Sequence, residues 1–325
     1  MFAVRSIPER HDFRWNRHLA LIFSFAVLLT GFVPLASQAG VCADAVADTQ
    51  TADESLRPLM WVIRDHDSTV YLFGSIHVMC DGINWMTPGI AKRFDSADTL
   101  WLEVDDIDDK SHMAEVARRY MYNPQGHMTD GLSADEVHDL DQRLGQYDLN
   151  SQGLQGLHKW AVGLVLMQHQ LAGMGLDSDN GIDATLLRRA RVKDKPVHGF
   201  ETIEQQMQLM SPRDDAEDLD SLRVTLKEFD ETPGMVDELI AGWLSGDEAT
   251  LDKYLIDKTR DEDPDGYQKY IVTRNVTWVP KIEHILAGKG VVFIAVGTAH
   301  LVGPDSVIAL LKKDGIKATP VKTDR

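Results

Sequence analysis

Residues 70–77 read Val70-Tyr71-Leu72-Phe73-Gly74-Ser75-Ile76-His77, and residues 293–300 read Phe293-Ile294-Ala295-Val296-Gly297-Thr298-Ala299-His300. Both are apolar runs that end in Gly-x-x-His. A short β-rich apolar run reads as a buried strand. Its glycine has no Cβ, so backbone or ligand can approach closely. The histidine that follows emerges at the strand's carboxyl edge, where open α/β sheets bind ligands. Two strands built this way predict an α/β core with two imidazoles at one sheet edge.

The rest of the chain fits around these strands. Residues 59–64 and 69–74 are β-rich and flank the turn 65–68, which predicts a hairpin. Thr87-Pro88 opens a helix as N-cap and first-turn proline. Residues 98–104 read as the next strand and Pro196-Val197-His198-Gly199-Phe200-Glu201 as another. The middle is helical. Ser133-Ala134-Asp135-Glu136 is a capping box, and Thr202-Ile203-Glu204-Gln205 is a second. Leu154, Leu157, Trp160, Ala161, Leu164, Val165 and Leu171 keep helical spacing. Acidic helices fill 214–260, and a long helix bent at Pro280 is expected over about 267–287. Strand 290–296, helix 304–314 and strand 317–322 close the chain. Strands thus cluster at both ends and near 197, with a helical insert over about 106–180. The two ends must pair in space, which brings the two Gly-x-x-His loops together.

Composition narrows the function. Arg5, Arg10, Arg14 and Arg17 precede an apolar run over 19–29, and small residues Ser37 and Ala39 follow. Residues 1–39 therefore read as a signal peptide, with 40–57 as a flexible lead-in and 58–325 as one domain. The chain is expected to be periplasmic or secreted, with no membrane contact beyond a signal anchor. No later apolar run approaches the ~20 residues of a spanning helix. The net charge of the 325-residue chain is −18; the segment 1–39 has four Arg against Glu9 and Asp12, so the remainder carries −20. Such a surface repels nucleic acid and anionic lipid. Cys42 and Cys80 are the only cysteines, free to pair or not.

Candidate chemistry gathers at strand ends. His77 and His300 follow two strands, Glu103 ends Thr99-Leu100-Trp101-Leu102, and Glu201 ends Pro196–Phe200. Two histidines and a carboxylate are a usual ligand set for zinc, manganese or iron. A second carboxylate, Glu103 or Glu201, would act as general base. Arg274 and Asn275 lie on the long helix, and Arg274 reads as a donor to a developing oxyanion. Neutral imidazole is the ligand form, so metal binding and activity are expected to fall as pH drops through about 6. The sequence has no His-Glu-x-x-His, no Gly-x-Ser-x-Gly elbow and no phosphate-binding glycine loop.

Together the motifs resemble the TraB/GumN/Tiki family. They are Leu72–His77, Leu102-Glu103-Val104-Asp105, Gly181-Ile182-Asp183, Lys195–Gln206, Arg274-Asn275 and Val296–Ser306. The resemblance implies an erythromycin-esterase/ChaN-like fold, a mixed central sheet flanked by helices. It also implies a Tiki-like metalloprotease that cleaves a peptide or protein substrate with Mn²⁺ or Co²⁺, Zn²⁺ being admissible. His77, Glu103, Glu201 and His300 would hold the metal, and Glu103, Glu201, Arg274 and Asn275 would serve catalysis. The alternatives are a non-catalytic peptide binder of the pheromone-shutdown kind and a haem or metal carrier.

Overall fold

The computed structural model describes Cys42 and residues 56–323. The segment read as a signal peptide, and the lead-in before residue 56 apart from Cys42, lie outside the described residues.

The expected hairpin forms. Strand β1 (Met60–Arg64) runs antiparallel to β2 (Ser68–Ser75), with Met60 opposite Phe73 and Arg64 opposite Thr69. After the short β3 (Met79–Cys80) come β4 (Thr99–Val104), the short β5 (Leu176–Asp177), β6 (Val197–Glu201), β7 (Gly290–Gly297) and β8 (Thr319–Pro320). Six of these build a mixed sheet in the order β6-β4-β7-β2-β1-β8. β6, β4, β7 and β2 are mutually parallel, so their carboxyl ends share one edge. The two ends of the chain meet as expected, β2 and β7 pairing from Ser68–Gly290 to Ser75–Gly297.

At the carboxyl end of that pair the glycine has a visible purpose. A Cβ on Gly74 would lie 2.9 Å from Thr298 Oγ1, and that hydroxyl donates to the Ser75 carbonyl at 2.9 Å. Below it the core is aromatic. The Phe73 ring lies 5.7–6.1 Å from those of Trp85, Trp243 and Phe293. The Trp243 indole N–H donates to the Gly74 carbonyl at 2.8 Å, which satisfies a polar group that burial would otherwise leave costly.

The insert over 106–180 contains helices Lys110–Met121, Ala134–Gly145 and Lys159–Gly173. Both capping boxes read from the sequence are present, Ser133 with Glu136 and Thr202 with Gln205. The insert is not wholly helical. β5 pairs with β3 as a two-stranded ribbon, each partner too short to leave a periodic signal. Nor does it stand apart: Val162 and Leu166 share a buried cluster with Leu222 and Leu226 of helix Asp215–Glu228. Asp218 on that helix accepts the N–H groups of Lys159 at 3.1 Å and Trp160 at 2.8 Å, so it caps a helix of the insert from outside.

The long helix expected over 267–287 is built in three parts. A short helix Pro264–Tyr267 leads into a π turn, Gln268–Val272, and then into helix Thr273–Leu286, which has Pro280 inside it. A π turn inserts an extra residue and shifts the register of everything after it, and such turns are frequent at functional sites. Arg274 and Asn275 directly follow this one. Cys42 is disulfide-bonded to Cys80, which fastens the lead-in to β3, with a Cα–Cα distance of 5.4 Å. Among the described residues no helix is long and apolar enough to cross a membrane.

Candidate functional site

Local sequence explains how the first imidazole is fixed. β2 ends at Ser75, and the Ile76 carbonyl accepts the Ile182 N–H at 2.9 Å. Gly181, N-cap of helix Ile182–Val192, sits so close that a Cβ would lie 2.1 Å from the His77 carbonyl oxygen. Only glycine fits there. It brings Asp183, in the first turn of that helix, under the sheet edge, where the helix dipole favours a carboxylate. Asp183 Oδ1 accepts the Ser75 hydroxyl at 2.9 Å, and Asp183 Oδ2 lies 2.6 Å from His77 Nδ1. A carboxylate only accepts, so Nδ1 carries the proton. His77 Nε2 is buried and has no hydrogen-bond partner.

The second imidazole is held the other way round. Arg274 Nη1 lies 2.9 Å from His300 Nε2, and a guanidinium only donates, so Nε2 accepts. His300 Nδ1–H then donates to Asn275 Oδ1 at 2.7 Å, and Asn275 Nδ2 donates to the Asp305 carbonyl at 2.9 Å. His300 also packs on Trp278, with ring centroids 4.4 Å apart.

Between the imidazoles lies Glu103. Its Oε1 is 3.9 Å from His77 Nε2 and 3.8 Å from His300 Nε2, and it accepts the Gly297 N–H at 2.8 Å. Its Oε2 accepts Arg274 Nη2 at 2.5 Å. Glu201 faces the same guanidinium, accepting Nε on Oε1 and Nη2 on Oε2, both at 2.9 Å, and accepting the Trp278 indole at 3.0 Å. Gln206 Nε2 is 3.3 Å from both Glu103 Oε2 and Glu201 Oε2.

The electrostatics follow from burial. His77 loses solvation, which opposes its charge, but Asp183 and then Glu103 outweigh that loss and its pKa rises above the ordinary 6.5. His300 is pushed well below 6.5, first by burial, then by Arg274 and His77. The pair thus splits into a basic imidazole and one held neutral. Two carboxylates, Glu103 and Glu201, face one guanidinium, a formal −1, and the third, Asp183, faces His77. Among the described residues no group of three or more His, Cys, Asp or Glu side chains is arranged so that it could hold a metal ion.

All six residues singled out in the sequence therefore come to one edge. Arg274 is engaged by both glutamates and by His300, and the Asn275 amide stands behind His300, where it positions the ring. Sequence reasoning gave no role to Asp183, Ser75, Gln206 or Trp278. Trp278 follows Arg274 by one helical turn, and the Gly181-Ile182-Asp183 run opens a helix; those were the available signals. Beside His77 and Asp183 opens a cleft of about 510 Å³, walled by the loop after β4 and by helix Ile182–Val192.

The TraB/PrgY/gumN family model matches residues 59–320, nearly the whole described fold. The chain belongs to that family. It is similar to an uncharacterized protein of Treponema pallidum, 24% identical over 271 residues, covering 78% of this chain and 80% of the relative. It is also similar to the uncharacterized protein YbaP of Escherichia coli, 23% identical over 242 residues, covering 74% of this chain and 87% of YbaP. No solved structure matches the chain.

Proposed function

We propose that this chain is an exported hydrolase of peptide bonds that depends on a divalent ion held by His77, Glu103 and His300. The observation that supports it is His77 Nε2, buried and without a partner while Asp183 fixes the ring through Nδ1. Ligating imidazoles are held in this manner, one nitrogen fixed by a carboxylate and the other presented. The donor set suits Mn²⁺, Co²⁺ or Zn²⁺, and the formal charge of the cluster favours a cation. A bound ion would lower the pKa of a water and polarise the scissile carbonyl. The guanidinium is a rigid plane held by Glu201 through Nε and Nη2, so the His300 ring must then turn its Nε2 away from Nη1. Nη1 so released is a donor for a developing oxyanion. Glu201 works by holding that guanidinium. Glu103, nearest both imidazoles, is left as the carboxylate that holds the ion or takes the proton.

A second reading rests on Arg274 Nη1, whose bond to His300 Nε2 keeps that lone pair engaged. Here the hydrolysis needs no metal. His77 Nε2 takes a proton from water, the oxygen attacks the carbonyl carbon, and the C–N bond breaks as the proton passes to the leaving amine. One experiment tests both. The mature chain is stripped with a chelator, reloaded with Mn²⁺, Co²⁺ or Zn²⁺, and incubated with a diverse peptide mixture read by mass spectrometry, beside His77→Ala. Cleavage only after reloading supports the metal reading; cleavage by the stripped protein selects the second. Digests indistinguishable from those of His77→Ala sink both.

A further inference from the structure

We propose that the cleft beside His77 is a subsite for a peptide carrying an aliphatic side chain next to a carboxylate. The inference deepens the hydrolase reading by naming a substrate class, and it rests on that reading for turnover but not for binding. The cleft, about 510 Å³, has His77 and Asp183 in its wall and is large enough for a small ligand or a few peptide side chains. Ile107, Ala184 and Leu187 give it an apolar side. An aliphatic group there is removed from water next to the imidazole.

The charge at the rim is the second observation. Lys110 is exposed and makes no ion pair among the described residues. Arg188 donates to the Asp179 carbonyl at 2.6 Å and to the Thr185 hydroxyl at 3.1 Å, both neutral acceptors, and makes no ion pair among the described residues. The acids of the cleft are mostly engaged: Asp183 by His77 and Ser75, Asp108 by Arg191. Asp179 alone remains, against two cations. Lys110 and Arg188 are thus cations of the rim with no ion-pair partner among the described residues, in a chain whose net charge is −18. Lys110 and Arg188 present donors that suit a carboxylate, Arg188 as a planar fork. That carboxylate is either a peptide's free C-terminus or an Asp or Glu side chain.

The test uses three acetylated peptides that share a central Leu. One ends in a free carboxyl one residue after it, one is amidated with Glu after Leu, and one is amidated with Gln after Leu. Calorimetry measures binding to the full mature chain and to the double variant Lys110→Glu, Arg188→Glu. Both positions are exposed, so the fold is retained, which thermal melting verifies. The carboxylate peptides should bind about tenfold tighter than the Gln peptide, and the double variant should abolish that preference while leaving the Gln peptide unaffected. Preference for the first peptide identifies a C-terminal carboxyl, and preference for the second an acidic side chain. Equal binding of all three, absence of binding, or a preference that survives in the double variant overturns the proposal. Selective binding without cleavage would leave the subsite standing and remove the hydrolase reading.

Discussion

His77 and Asp183 stand 106 positions apart, and their side chains meet at 2.6 Å, Nδ1 to Oδ2. This contact makes one of the two site imidazoles the more basic. It also moves the expected pH dependence. A lone histidine would lose its ligand form near pH 6.5, whereas His77 holds its proton to higher pH because Asp183 and Glu103 overcome burial. In the metal-free protein, an NMR titration should place the His77 midpoint above 6.5. Asp183→Asn should bring it down, since burial then acts with less opposition. A midpoint unchanged by that substitution would show that the pair does not set the proton.

The same contact has a stability consequence with a definite sign. A raised folded pKa means that the His77–Asp183 pair contributes fully below the unfolded value of about 6.5 and loses its contribution as pH rises through the folded value. Urea denaturation of the wild type and Asp183→Asn should therefore differ more at pH 6 than at pH 9. A difference that is the same at both pH values refutes the linkage.

Arg274 is buried between the buried Glu103 and the half-buried Glu201, paired with them at 2.5 Å and 2.9 Å. Removing one partner of a buried ion pair costs about 3–5 kcal/mol, because the other charge stays buried and unbalanced. Arg274→Ala should lower stability by that order in urea melts. Millimolar Mn²⁺ should restore part of the loss if the two histidines and Glu103 can take up an ion. Full stability of Arg274→Ala without metal would mean that the network is not under this electrostatic load.

How much of this was legible in the sequence depends on the kind of information each feature carries. The strands were legible because β2 and β7 are unbroken apolar runs, and burial on both faces demands that pattern. The residues at their ends were legible because His77, Glu103, Glu201 and His300 each sit where an apolar run stops. What the sequence does not carry is which strand lies beside which: β4 between β6 and β7 is a matter of packing. The ribbon β3–β5 has two residues a side and therefore no period. The π turn at Gln268–Val272 is set by backbone hydrogen bonds one residue longer than a helix makes, such as the Thr273 N–H to the Gln268 carbonyl. Asp183 looked like an ordinary first-turn acid, and only the closeness of Gly181 to the His77 carbonyl gives it a partner.

That closeness can be tested alone. Gly181 has φ −54°, which any residue adopts, so the objection to a side chain there is purely steric. A Cβ 2.1 Å from the His77 carbonyl oxygen forces backbone apart on both sides. Gly181→Ala should cost about 1–3 kcal/mol and weaken the His77–Asp183 bond, seen as a lowered His77 midpoint. A stable variant with an unchanged midpoint would count against this packing.

The two glutamates are expected to fail differently when each is changed to Gln, which removes charge at nearly constant shape. Glu103 Oε1 is the carboxylate oxygen close to both imidazole Nε2 atoms, at 3.9 and 3.8 Å. It also receives the Gly297 N–H, while Oε2 receives Arg274. An amide in its place must turn its NH₂ toward one of these donors, so Glu103→Gln loses an acceptor as well as a charge. Metal affinity should fall by at least tenfold and turnover should fall with it. Glu201 touches neither imidazole; it holds Arg274 and receives the Trp278 indole. Glu201→Gln should keep its metal and lose turnover by about 10–100-fold, through a guanidinium no longer held in place. Elemental analysis of the purified variants, set beside their peptide digests, separates the two behaviours. Loss of metal in Glu201→Gln, with Glu103→Gln still loaded, would exchange the roles and place the ion on the far side of Arg274.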